Sequence, residues 1–160
     1  MATPDITDPE TLALILEHLQ KGKVGERVIC KILESDGIGS YDDVLHFIEK
    51  VRSFECQIVI DDFGTGYSDF SRPLKLTVDV IKIDGSLIHC LAQDHTAFLV
   101  TKGIVPFARS MGIKTVAESV HSEAAQDRVM ELGIDFSQGE DFGMPAVELL
   151  SRNEQTGRDK

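Results

Sequence analysis

Two adjacent carboxylates, Asp61 and Asp62, follow the apolar run Ile58-Val59-Ile60 and precede Gly64 and Gly66 in the segment IVIDDFGTGYSDF. Two carboxylates held in one place repel each other without a cation. Magnesium or manganese, which take carboxylate and water oxygens, resolves that repulsion and can bridge to a phosphodiester. Neighbouring strand residues point to opposite faces, so both acids serve one site only if the chain turns there, and the glycines predict such a turn. A capped surface turn is the plainer account of an isolated acidic pair. Further polar residues bear on that choice: Glu34, Lys82 and Asp84 in VIKID, Glu118 in TVAESV, and Gln138 in SQG. A lysine such as Lys82 holds a phosphate oxygen or a metal-bound water as a point charge. The competing accounts are a surface-strand lysine, a helix-capping Glu118 and an ordinary loop amide at Gln138.

The elements that must position these residues are legible as alternating patterns. Asp8-Pro9-Glu10 supplies an N-cap and first turn for a helix carrying Leu12, Ile15, Leu16 and Leu19 and ended by Gly22. A strand is predicted at Val28 to Leu33, a helix from Tyr41 to Ser53, and strands at Ile58 to Ile60 and Val78 to Ile83. A helix through Phe98, Leu99, Val105 and Ala108 stops at Gly112. Thr115 to Ala117 reads as a strand, Ser122 caps a helix that Gly133 closes, and Ile134 to Phe136 is a last short strand. The expected fold is α/β, with about five parallel strands buried on both faces and alternating with helices. Glu34, Asp61-Asp62, Lys82, Asp84, Glu118 and Gln138 each fall at or just beyond a predicted strand's C-terminal end. That rim binds ligands both in an open doubly wound sheet and in a (β/α)8 barrel. Five strands do not close such a barrel, so a barrel reading implies a partial one.

Composition narrows the function further. The chain has 160 residues, 42% of them apolar, which suits one domain; residues 1–150 are expected to form it and 151–160 a disordered polar tail. A net charge of -11 argues against general DNA or RNA binding, which needs a basic surface. Cys30, Cys56 and Cys90 show no metal-ligand spacing and read as reduced core residues. His18, His46, His89, His95 and His121 likewise read mostly as surface or helix residues. No run approaches the roughly 20 apolar residues of a membrane helix. A cytoplasmic location is expected, although a membrane anchor in a longer parent would leave no trace here.

The segments IDDFGTGYSDF, VDVIKID, VAESV and SQG, in this order and spacing, resemble the second half of the EAL domain, a family that hydrolyses the bacterial messenger cyclic di-GMP. The resemblance covers about residues 8 to 147 and implies a TIM-type barrel of which this chain is the C-terminal part. It further implies that Asp61 and Asp62 hold divalent Mg2+ or Mn2+ and that Lys82 stands near the attacking water. Glu118 would be a further acidic site residue, catalytic and metal-binding. Gln138 would be a late site residue, and Glu34 would steady the loop after the aspartates. With them, Asp84 and Gly64 complete the expected ligand-binding set.

Departures from the family pattern point the other way. The Glu-Ala-Leu glutamate and an asparagine ligand lie outside this chain, and Lys31, in CKILES, stands where a metal-binding glutamate is expected. Ser119 replaces a glycine, His121 a glutamate, and Glu140-Asp141 an aromatic and apolar pair. The leading expectation is therefore a degenerate domain that binds cyclic di-GMP at most, within a longer parent carrying a sensor or diguanylate-cyclase-type domain. Lys31 is expected to stand near Asp61 as an ion pair. The alternatives are a metal-dependent phosphodiesterase in the intact parent and a pure interaction module; exposed barrel edges favour a homodimer. A phospho-receiver domain fits poorly, because its paired acids come near the chain start.

Overall fold

The computed structural model describes residues 8–33, 41–64, 70–140 and 142–143. Asp8 accepts a hydrogen bond from the Thr11 N–H and starts α1 (Pro9–Gly22), with proline in its first turn. Gly22 remains helical, and Lys23 takes the left-handed turn that ends the helix. A short 3-10 turn (Gly25–Arg27) leads into β1 (Ile29–Leu33). Then come α2 (Tyr41–Arg52), β2 (Gln57–Phe63), α3 (Ser71–Lys75), β3 (Val80–Ile83), α4 (Gly85–Cys90), α5 (His95–Ser110), β4 (Lys114–Ala117), α6 (Glu123–Leu132) and β5 (Phe136–Ser137).

Strand order in the sheet is β1-β2-β3-β4-β5, all parallel, so each strand pairs with its neighbour in sequence. A doubly wound sheet reverses direction at a switch point, and this sheet does not. Right-handed crossovers that always advance the same way put every helix on one face, which is the construction of a barrel wall.

Side chains alternate accordingly. Ile58, Ile60, Ile81, Ile83, Thr115 and Ala117 are buried on the helix side, against Val44, Phe47 and Val51 of α2 and Ile104 and Ala108 of α5. The other face carries Lys31, Leu33, Val59, Asp61, Val80 and Lys82, following the ladder pairs Lys31 with Val59, Leu33 with Asp61 and Val59 with Val80. That is the face a complete barrel would enclose, and Ile29 and Phe136 at its two edges are both more than half exposed.

Further local readings differ from expectation. β2 runs on through Asp61 and Asp62 to Phe63, so the acidic pair lies within the strand instead of at its exit into a loop. Two short helices, α3 and α4, interrupt connections that show too few residues for a helical period. Cys30 and Cys56 are buried as expected, but Cys90, at the end of α4, is exposed.

Candidate metal and phosphate site

The acidic pair is brought to one place by a bulge. Val59 faces Val80 and Ile60 faces Ile81, but the next matched pair is Phe63 with Ile83. β2 therefore sets two residues, Asp61 and Asp62, against the single Lys82, and Asp62 takes up the extra length with a left-handed φ of 57°. Asp62 thus shares with Gly64 the turn that sequence assigned to Gly64 and Gly66, the latter lying outside the described residues. Gly64, with φ +106°, follows under a second constraint, since a Cβ there would come within 2.4 Å of Leu87 Cδ1.

Around this bulge the charges alternate. Lys31 Nζ donates to Asp61 Oδ2 at 2.7 Å, and Lys82 Nζ stands 2.9 Å from Asp61 Oδ1. Lys82 also donates to Glu118, which follows β4 directly. Asp61 and Lys82 are both buried, whereas Lys31 is half exposed. Burial pushes the Asp61 carboxyl up, but the hydrogen bond from Lys31 and the adjacent Lys31 and Lys82 charges outweigh it and hold the group below its ordinary value. Burial likewise pushes the Lys82 ammonium down, and Glu118 and Asp61 hold it above its ordinary value. Lys82 is therefore a buried, ion-paired cation, and the surface-lysine account fails.

Carboxylate oxygens of Asp61, Asp62 and Glu118 lie within 4.8 Å of one another. Lys82 meets Asp61 Oδ1 as an ion pair without hydrogen-bond alignment, so that buried oxygen keeps a direction open for another electrophile. An octahedral magnesium-type ion, with oxygens about 2.1 Å away, spaces its ligands about 3 to 4 Å apart. The trio fits one such cation after a small inward movement.

The remaining expected residues are placed less uniformly. Asp84 caps α4 through the Ser86 N–H at 2.7 Å, and Asp62, Asp84, Ser86, His89 and Glu118 line an open cleft of about 620 Å³. Gln138 follows β5, and its backbone ties the strand ends together: its N–H donates to Ala117 O and its carbonyl accepts from Val120 N–H. A Cβ at Gly139 would fall 2.1 Å from Val120 O, which accounts for glycine in SQG. The Gln138 side chain is exposed. Glu34 lies outside the described residues. Sequence reasoning missed Ser86 and the contact of His89 with His121, whose rings stack 3.9 Å apart. No short-range pattern joins these two histidines, which come from different connections.

Comparison with known proteins agrees with this geometry. The cyclic di-GMP phosphodiesterase PdeF of Escherichia coli K12 is 32% identical over 128 residues, 80% of this chain and 17% of PdeF. The bifunctional diguanylate cyclase/cyclic di-GMP phosphodiesterase MucR of Pseudomonas aeruginosa is 36% identical over 126 residues, 78% of this chain and 18% of MucR. The chain thus spans less than a fifth of these relatives. The structure of the MucR phosphodiesterase with cyclic di-GMP superposes with a TM-score of 0.82 at 29% identity, over 91% of this chain and 59% of that one. The FimX EAL domain of Xanthomonas citri in complex with cyclic di-GMP gives 0.80 at 25% identity, over 93% and 59%. A family model described as the EAL domain matches residues 2–145, and this chain belongs to that family.

Proposed function

We propose that this chain is a cyclic di-GMP-binding EAL-type module that does not hydrolyse its ligand and whose longer parent acts by sensing or by protein contact. One observation carries the non-hydrolytic part. Both oxygens of Asp61 already face ammonium groups, Lys31 on Oδ2 and Lys82 on Oδ1, so a cation gains this carboxylate only in competition with them.

Asp61, Asp62 and Glu118 would hold a divalent cation, which when bound supplies positive charge to a phosphodiester and its neighbouring water. Lys82, fixed between Asp61 and Glu118, orients those carboxylates and offers a point charge to a phosphate oxygen. Asp84 at the cleft, Gln138 at the rim, Glu34 and the Gly64 turn complete the proposed ligand contacts.

Incubating the full-length protein with cyclic di-GMP and Mg2+ or Mn2+ tests the reading. Calorimetry is expected to show binding heat, and chromatography no linear dinucleotide. Steady conversion to the linear product overturns the reading in favour of a metal-dependent phosphodiesterase. The assembled Lys82, Asp61 and Glu118 array, together with the identity to PdeF and MucR, favours that second reading.

A further inference from the structure

We propose that Lys31 is a built-in, displaceable counter-ion that competes with a divalent cation for Asp61. The inference rests on the metal site described above and deepens it: the site carries its own monovalent substitute for the metal.

Lys82 has 10% of its side chain exposed and is tied to both Asp61 and Glu118, so its withdrawal would abandon two carboxylates inside the protein. Lys31 has 49% of its side chain exposed and reaches Asp61 from β1, an edge strand of the described sheet. Its ammonium borders water, so withdrawal from Asp61 leaves it solvated. Among the described residues the cluster holds three carboxylates against two ammoniums. With Lys31 in place the charge deficit is modest, and the carboxylates keep their positions without metal. A dication arriving at Asp61 meets an ammonium 2.7 Å from Oδ2, and like charges at that range oppose co-occupancy. Binding of the ion and release of Lys31 are therefore linked, and each weakens the other by the same factor.

The test needs neither nucleotide nor turnover. Mn2+ is titrated into the protein while free Mn2+ is followed by its EPR signal, for the unaltered chain, Lys31→Met and the distant control Lys102→Met. Thermal unfolding is recorded with and without Mn2+. Lys31→Met is expected to bind Mn2+ about tenfold more tightly, because the like charge is gone. Its melting temperature should fall without metal and gain more on Mn2+ addition than the parent's. Lys102→Met, which changes net charge equally on α5, should leave the affinity within about twofold. Should Lys31→Met fold poorly, Lys31→Gln gives the same comparison with a polar side chain. Equal Mn2+ affinity in parent and variant, an equal gain in Lys102→Met, or no Mn2+ binding at millimolar concentration in either protein overturns the proposal. Hydrolysis of cyclic di-GMP would overturn the non-hydrolytic reading while leaving this linkage untouched.

Discussion

Lys31 reaches Asp61 although the two are not ladder partners: Lys31 lies opposite Val59, Asp61 lies opposite Leu33, and the lysine stem spans the two-residue offset to place Nζ 2.7 Å from Oδ2. Parallel register makes this contact possible, since residues two apart share a face and the long side chain leans along the strand. An edge strand thereby supplies a charge to the bulge on the next strand. The site is consequently a line of alternating charge across three strands and the end of a fourth, from Lys31 through Asp61 and Lys82 to Glu118.

Lys82 is the member of that line on which the others depend. Lys82→Met removes the buried cation and leaves Asp61 and Glu118 facing each other. Breaking a buried pair costs about 3 to 5 kcal/mol, and for a chain of this size each kcal/mol shifts the melting temperature by about 2 to 4 °C. A fall of about 10 °C is expected by calorimetry in metal-free buffer. A drop below 3 °C would mean that the carboxylates relax into solvent.

Asp62 should be governed by its backbone as much as by its charge. Asn visits the left-handed region readily, whereas a β-branched residue does not, and that conformation costs an ordinary side chain about 1 to 2 kcal/mol. Asp62→Asn is expected to retain the parent's denaturation midpoint and weaken Mn2+ binding. Asp62→Val should lose both. Equal stability of the two variants would argue against a φ of 57° in solution.

Much of this fold is local, and sequence shows it. Asp8-Pro9, Ser122 and Gly133 do at the helix ends what their side chains and φ preferences dictate, and buried strands such as Ile58 to Ile60 declare themselves by apolar runs. The gathering of Asp61, Lys82 and Glu118 followed from their shared position at strand ends. The bulge was not legible, because it is a mismatch between β2 and β3, a property of two segments that neither displays alone. The same holds for the His89 and His121 stack and for Cys90, whose exposure depends on how α4 packs. Helices as short as α3 and α4 present fewer than two turns of pattern.

Gly64 and Leu87 form a coupled pair open to a double-mutant cycle. Gly64→Ala adds a Cβ 2.4 Å from Leu87 Cδ1 and also strains a φ of +106°. Leu87→Ala removes the steric part only. The double variant should therefore be about 1 kcal/mol more stable than the sum of the single losses predicts, with a residual penalty from the backbone. Strict additivity, measured by urea unfolding, would place the strain wholly in φ.

Acid sensitivity should involve Asp135. Burial pushes its carboxyl up, but the Lys114 ammonium at 2.7 Å and hydrogen bonds from the Thr115 N–H and hydroxyl bring it below its ordinary value. A depressed folded pKa contributes stability above the unfolded value of about 4 and loses it as pH falls through the folded value. Asp135→Asn is expected to cost about 1 kcal/mol near pH 7 and almost nothing near pH 2. A penalty independent of pH would show that hydrogen-bond shape, and not ionisation, carries the contact.

The three thiols should separate by reactivity. Burial, followed by the neighbouring Cys56, pushes the Cys30 thiol up to about 11, and burial raises Cys56 as well. The thiolate is the reactive form, so both are doubly protected at pH 8, by low ionisation and by lack of access. Cys90 is exposed. A disulfide reagent such as Ellman's is expected to titrate one thiol rapidly in the native protein and three in denaturant, with the Cys90→Ser variant losing the fast phase. Rapid reaction of two or three native thiols would instead mean that Cys30 and Cys56 are exposed by local opening of β1 from β2, the pairing that also holds Lys31 against Asp61.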